Sequence, residues 1–416
     1  MRISTLQQFN NGVAGLQRNY ANVTRTQEQI STGNRILTAA DDPVASVRLL
    51  QLEQQQGVLD QYNANLTAAD NSLTQEEVTL NSANTILQRV RELAAEAGNG
   101  ALSAEDRKSI AAELREREDE LLGLMNTRNA RGEYIFSGFQ GKTQPFVRNP
   151  DGSYSYQGDE GQRKLQVASS LQLPISDNGK RIFQDVINAG RLDSALTNSP
   201  AGSTLGASAP LVTDEVSFAG NPPFPDAGVE IVFGNPDASS YEIFELGTTT
   251  PVLGSGTLDS DAGTADKLVF RGVSLQFDGV PVGGETIEVT PQPNQQKQGI
   301  LDTIANLRVA LENAADTPAG SLGVRDAVAE SLTNLDNGMI KLDSVRGEIG
   351  ARLNVIESTR TDNEDVGLVN KAVQADLREL DYAEALSRLS FQSIILEASQ
   401  QSYVKISSLT LFNKLG

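Results

Sequence analysis

The chain has 416 residues, a net charge of −20, no Cys and no His, and 38% hydrophobic residues with only 5% aromatic and no Trp. The length suggests two to four domains. The missing Cys and His exclude disulfides, thiol catalysis and Cys-ligated metals, and remove the commonest general base and zinc ligand, which weighs against an enzyme. The acidic balance makes nucleic acid and membrane surfaces poor partners. Lean apolar content suits extended helices that bury narrow stripes. The first thirty residues hold no apolar core of a secretory signal, and no run of about eighteen apolar residues occurs anywhere.

The first element is a weak helix. Leu6, Phe9, Val13, Leu16, Tyr20, Val23 and Ile30 fall on one narrow stripe, and from Phe9 on the steps are four, three, four, three and seven, as in a coiled-coil seam. The other face carries Gln7, Gln8, Asn10, Asn11, Gln17, Asn19, Asn22, Gln27 and Gln29, and Gly12 and Gly15 weaken the helix further. Such a segment needs a partner to bury its stripe.

Asp42 and Pro43 read as N-cap and first helical residue of the next helix. Leu52, Leu59, Leu66, Leu73, Leu80 and Leu87 then recur every seven residues, with Glu76 the one polar intruder at the intermediate seam positions. One helix is expected over 44–97, ended by Gly98-Asn99-Gly100. Ser103 with Asp106 resembles a capping box that opens a helix to about residue 128. The charge run 113–120 on this helix reads as a solvated face with local ion pairs.

Composition changes at Asn129. Arg131-Gly132-Glu133-Tyr134-Ile135-Phe136-Ser137-Gly138-Phe139 is short, aromatic and bounded by glycines. From 141 to about 293 the chain is rich in Gly, Pro, Ser, Thr and Asp, with strand-like alternation at 154–156, 229–233, 267–270, 273–277 and 286–289 and turn dipeptides Asp278-Gly279 and Gly283-Gly284. No Lys or Arg occurs between Arg191 and Lys267, so much of the negative charge sits here. An antiparallel β-rich insert is expected.

Helical periodicity resumes at Gln298 and breaks at 316–320. A long heptad frame follows through Val328, Leu335, Leu342, Ile349 and Ile356, and the polar run 357–365 interrupts it. From Tyr382 a shifted frame carries Leu386, Leu389, Leu396 and Tyr403, and the chain stays apolar through Ile406, Leu409 and Phe412. The order helix, β, helix predicts an α+β fold. Both ends of the chain would form a long antiparallel, coiled-coil-like helical rod, with the β-rich domain inserted at its far end. The expected divisions are 1–43 with 370–416 as a terminal helical assembly domain, 44–140 with 295–369 as the rod, and 141–294 as the insert.

Few residues are arranged for chemistry. Asp259-Ser260-Asp261-Ala262-Gly263 has the start of a calcium loop, but its glycine falls one position early and Phe270 takes the place of the terminal Glu. Gly254-Ser255-Gly256 lacks the strand, helix and Lys of a phosphate loop. Asp41-Asp42 is explained by capping better than by paired catalytic carboxylates. No basic region precedes the Leu heptads, which argues against a DNA-binding zipper. No catalytic, cofactor or metal site is expected. The terminal stripes are different, because a two-helix pair leaves apolar surface uncovered and each fully buried Leu or Phe is worth roughly 1.5–3 kcal/mol.

Two motifs resemble a known family. Ile30-Ser31-Thr32-Gly33-Asn34-Arg35-Ile36 with Ala39-Ala40-Asp41-Asp42-Pro43 resembles the N-terminal signature of bacterial flagellins and their relatives. Tyr382-Ala383-Glu384-Ala385-Leu386-Ser387-Arg388-Leu389 with Ser408-Leu409-Thr410-Leu411-Phe412-Asn413 resembles the matching C-terminal end. Within the group, Gly132-Glu133-Tyr134-Ile135-Phe136-Ser137-Gly138 and the Asp-Asp-Pro variant are similar to the hook-associated protein 3 subfamily. The resemblance implies a structural, extracellular part of the flagellum, exported through the flagellar type III channel without a cleaved signal peptide. It implies self-assembly into a ring or helical tube through Leu6, Phe9, Val13, Leu16, Tyr20, Val23, Ile30, Leu386, Leu389, Leu396, Tyr403, Ile406, Leu409 and Phe412. The implied partners are further copies of the chain, hook-associated protein 1, flagellin, and an export chaperone on the C-terminal helix. Flagellin itself is the near alternative, and an exported adhesin or hydrolase with its site on the insert the distant one.

Overall fold

The structure, a computed structural model, describes residues 2–259 and 265–412, with side chains described at 7, 9–259 and 265–405. Most of the candidate calcium loop therefore lies outside the described residues. The chain forms two compact units, one of Met1–Leu66, Val167–Ser170 and Glu357–Gly416, the other of Thr67–Gln166 and Leu171–Ile356.

The helices start and stop where their capping chemistry says. α1 (Arg2–Thr32) ends at Gly33, whose φ of +71° is the left-handed turn that glycine adopts without strain. α2 (Pro43–Ala97) begins as expected: the Asp42 carboxylate accepts from the Ala45 amide at 3.0 Å. α3 (Ala104–Met125) opens with the Ser103–Asp106 box closed in both directions, Asp replacing the usual Glu.

In the first unit, α1 pairs with α7 (Tyr382–Phe412), and the start of α2 pairs with the end of α6 (Pro318–Arg378). The run 357–365 interrupts the apolar frame but not the helix. Thr359 and Asn363 of that run are buried, and the Asn363 amide donates to Asn63 Oδ1 and to the Val167 carbonyl, both at 3.3 Å. Tertiary partners satisfy the Asn363 amide, so the helix continues through it.

In the second unit, Leu73, Leu80 and Leu87 of α2 are fully buried, as are Leu342 and Ile349 of α6. Arg91–Asp336 (2.6 Å) and Arg346–Glu77 (3.0 Å) bridge the two helices in antiparallel register. α3 packs on α5 (Ile300–Asn313). After α3 in the chain come β1 (Phe146–Arg148), β2 (Tyr154–Tyr156), β3 (Lys164–Gln166) and β4 (Gln172–Pro174), paired as two short hairpins.

The insert continues with β5 (Leu192–Asn198), β6 (Gly206–Ala207), β7 (Leu211–Val212), a single turn α4 (Glu215–Phe218), β8 (Val229–Phe233), β9 (Ser240–Glu245), β10 (Gly254–Thr257), β11 (Asp266–Phe270), β12 (Val273–Asp278) and β13 (Thr286–Pro291). Every pairing among these strands is antiparallel, in one sheet ordered β10-β9-β8-β13-β5 and another built on β11-β12-β6 with β7 also on β12. Alternation does the sorting. Val229, Ile231 and Phe233 face inward from β8, and Leu275 and Phe277 from β12, into one core shared by the two sheets. Arg271 and Gly272, at φ +45° and +78°, make the two-residue β11–β12 turn. The fold is α+β, with long antiparallel helices and an antiparallel β insert.

One carboxylate departs from the expectation. Glu118, within the supposedly solvated charge run, is 0% exposed. It accepts from Arg308 Nε at 2.8 Å, Arg148 Nη2 at 3.0 Å and the Tyr154 hydroxyl, so it joins α3, α5 and the β1–β2 hairpin. Its neighbours Arg117 and Glu120 do form the expected local pair. Glu76 is also buried, in the α2 seam, and accepts from the Asp177 amide at 3.2 Å. Burial, and secondarily the Asp177 charge, push its carboxyl well above the usual range.

Candidate assembly interface

The α1–α7 pair is antiparallel and its seam is only partly apolar. On α7 the covered positions are Ala385, Leu389, Gln392, Leu396, Ser399 and Tyr403, an unbroken alternation of four and three. On α1 they include Gly12, Val13, Leu16, Asn19, Val23, Thr26 and Ile30. Two polar pairs sit inside the seam: Asn19 donates to Ser399 Oγ at 2.9 Å, and Thr26 to Gln392 Oε1 at 2.8 Å. The Phe9 and Tyr403 rings meet at 5.4 Å. A Cβ at Gly12 would stand 3.4 Å from the Tyr403 ring, an ordinary contact, so the approach does not require glycine.

Val13, Leu16, Val23, Ile30, Leu389, Leu396 and Tyr403 are thus brought together, half-buried. Tyr20 is not: it is 64% exposed, because Asn19 takes the seam position opposite Ser399. Leu386 (52%) and Phe9 are exposed as well. The side chains of Leu6, Ile406, Leu409 and Phe412 lie outside the described residues. Apolar spacing missed the polar seam members. It also missed a second row on the side of α7 turned away from α1, where Phe391 and Ile394 are about two-thirds exposed and Ile395 more than a third. Helical angles set Phe391 and Ile394 about 140–160° from Leu389 and Leu396, with Ile395 on the flank beside Gln392 and Ser399. The helix therefore has apolar faces on two sides and covers one of them.

The turn after α1 is held by polar contacts. Asp41 accepts from the amides of Leu37 (2.9 Å) and Thr38 (3.0 Å) and pairs with Arg25. The backbone bond from Thr38, then that from Leu37, hold its carboxyl below the usual range. Asp42 is engaged as the α2 cap, so this acidic pair is structural in geometry. Among the described residues no group of three or more His, Cys, Asp or Glu could hold a metal ion, and no helix is long and apolar enough to cross a membrane.

Residues 3–141 match the bacterial flagellin N-terminal helical region. Flagellar hook-associated protein 3 of Escherichia coli is 25% identical over 99% of this chain and 99% of its own length. The Salmonella typhimurium protein of the same name is 34% identical over 45% of this chain and 58% of its own. The crystal structure of the flagellar junction protein of Legionella pneumophila superposes with a TM-score of 0.61 at 27% identity, covering 80% of this chain and all of that one. The chain is similar to the flagellin-like proteins. Within that class its likeness along the whole length is to hook-associated protein 3.

Proposed function

We infer that the chain is a structural component of the bacterial flagellum, outside the cell, acting as the junction between hook and filament, and not an enzyme. The observation that carries this is likeness to hook-associated protein 3 over nearly the full chain, in a protein whose terminal helices pair yet leave an apolar row uncovered. In this reading residues 1–43 and 370–416 form the assembly domain, 44–140 and 295–369 its support, and 141–294 an outer domain. Leu6, Phe9, Val13, Leu16, Tyr20, Val23, Ile30, Leu386, Leu389, Leu396, Tyr403, Ile406, Leu409 and Phe412 form its contacts with neighbouring copies and with hook-associated protein 1 and flagellin on either side. An export chaperone covers the C-terminal helix beforehand, and the chain leaves through the flagellar channel without a cleaved signal peptide.

Immunogold labelling of isolated flagella tests the placement. A single band at the filament base is expected. Label along the filament would instead assign a flagellin. Phe391→Asp with Ile394→Asp tests the surface: monomer secondary structure should be unchanged and filament attachment lost. Normal motility in that variant would refute the role of the uncovered row.

A further inference from the structure

The turn that ends α2 carries a chemically labile pair. Asn99 is followed by Gly100, and both are exposed. In an Asn-Gly step the glycine nitrogen can attack the side-chain amide before it, because no Cβ stands in the way. The step needs a free attacking N–H, a side-chain carbonyl held close to it, and a leaving group open to water.

All three meet at this turn. The Asn99 amide donates to the Glu96 carbonyl at 3.1 Å and the Leu102 amide to the Asn99 carbonyl at 3.1 Å, whereas the Gly100 amide has no acceptor among the described residues. Asn99 Oδ1 accepts from the Ala101 amide at 3.2 Å, which folds the side chain back along the Gly100 peptide. The same donor sits on the oxygen where negative charge develops during attack. Asn99 Nδ2 has no acceptor among the described residues and can leave into water.

The second unit holds the same dipeptide twice more, and there the fold blocks the step. Gly179 is buried and its amide donates to the Phe136 carbonyl at 2.8 Å. Asn178 is fixed at both ends, its Nδ2 on the Glu160 carbonyl at 3.3 Å and its Oδ1 on the Arg181 amide at 2.9 Å. Gly338 is buried inside α6, where its amide belongs to the helix ladder, and Asn337 Nδ2 donates to the Ile187 carbonyl at 3.1 Å.

We propose that Asn99–Gly100 is a self-modification site, at which the folded chain deamidates without an enzyme and with water as the only co-reactant. The Gly100 nitrogen gives its proton to solvent and bonds to Asn99 Cγ. The Cγ–Nδ2 bond breaks, and Nδ2 takes up a proton and leaves as ammonia. The five-membered imide then adds water. Opening at one carbonyl gives aspartate, and opening at the other gives isoaspartate, with the main chain rerouted through the side chain. Either product adds a negative charge beside Glu96 at the carbonyl end of α2, where the helix dipole disfavours it. Isoaspartate also lengthens a turn that Arg107 holds through the Leu102 carbonyl at 3.0 Å.

Peptide mapping of aged full-length protein tests this. The protein is kept folded in neutral buffer at physiological temperature and sampled over weeks. Trypsin releases 92–107, in which Asn99 is the only side-chain amide. This peptide should convert to its acid form and split into aspartate and isoaspartate species. Conversion should outpace that at Asn178 and Asn337 by about tenfold or more, as expected where orientation sets the rate of an intramolecular step. In urea the three rates should converge. A Cβ at Gly100 meets nothing within 4 Å, so Gly100→Ala should fold normally by circular dichroism and still deamidate about tenfold or more slowly at Asn99. Asn11–Gly12, in α1, is read as a separate peptide. Equal rates at the three sites in folded protein, a ranking that persists in urea, aspartate without isoaspartate, or a Gly100→Ala protein that deamidates as fast as wild type would each overturn the proposal.

Discussion

Glu118→Ala should be among the most damaging single substitutions in the second unit. The wild-type carboxylate is fully buried and has three partners: Arg148, Arg308 and the Tyr154 hydroxyl. Removing one member of a buried charge network costs about 3–5 kcal/mol, because the other charges stay behind unpaired. Two of the orphans have a second anchor here, Arg148 on Asp119 at 2.6 Å and Arg308 on Glu312 at 3.1 Å. The expected loss therefore lies near the lower bound, about 3 kcal/mol, or roughly 6 °C or more in thermal midpoint for a unit of this size. Glu116, two residues away on the same helix, is exposed, and Glu116→Ala should stay within about 0.5 kcal/mol of wild type. Urea unfolding followed by circular dichroism measures both. If Glu118→Ala falls within about 1 kcal/mol of Glu116→Ala, the network is not holding the hairpin to α3 and α5, and the solvated-face reading of 113–120 stands.

Other perturbations give distinct signatures. Asp42→Ala removes the α2 N-cap and should cost about 1 kcal/mol in the same unfolding assay. Gly272→Ala forces a Cβ at φ +78° onto the Asp214 carbonyl; it should destabilise the insert by about 1–3 kcal/mol, seen as faster exchange of β11 and β12. Asp41 has a lowered folded pKa, so its contribution is present above the unfolded value of about 3.9 and is lost as pH falls through the depressed value. Exchange at 33–41 should therefore rise on acidification below about pH 4, beyond the intrinsic pH effect, and Asp41→Asn should show no such step. Glu76 has the opposite sign. Its raised pKa means the stabilising protonated form is fully present below about pH 4.3 and is lost as pH rises through the folded value. Glu76→Gln should flatten that decline and leave the variant no less stable than wild type at neutral pH, as judged by thermal midpoints at several pH values.

Much of the fold was legible because local chemistry and global packing agree. Asp42, Pro43 and Gly98 bracket α2, Ser103 and Asp106 open α3, and the alternation at 229–233 and 273–277 becomes the inner faces of two sheets. What was missed follows one rule. Apolar spacing cannot report a polar side chain whose partner comes from another element of the fold. Asn19 displaced Tyr20 from the seam because Ser399 was opposite. Asn363 continued α6 because Asn63 and the Val167 carbonyl were waiting. Glu118 went inside because two arginines and a tyrosine converged on it. The outer row of α7 was missed differently: Phe391, Ile394 and Ile395 were plainly apolar, but only the geometry of the α1 contact places them on the uncovered side.

The charge distribution of the insert has a practical side for anyone mapping this protein. Between Arg191 and Lys267 there is no basic residue. Arg191 itself is sequestered: its guanidinium lies 4.6 Å from the Phe218 ring centre and binds Glu215 and the Asn188 carbonyl. A protease that cuts after Lys or Arg therefore meets a stretch, 192–267, with no internal cleavage site and a shielded entrance. In the folded state that stretch should survive as one acidic piece, and in a denatured digest it yields one long, poorly ionising peptide. A second protease, cutting after Asp or Glu, recovers that part of the molecule.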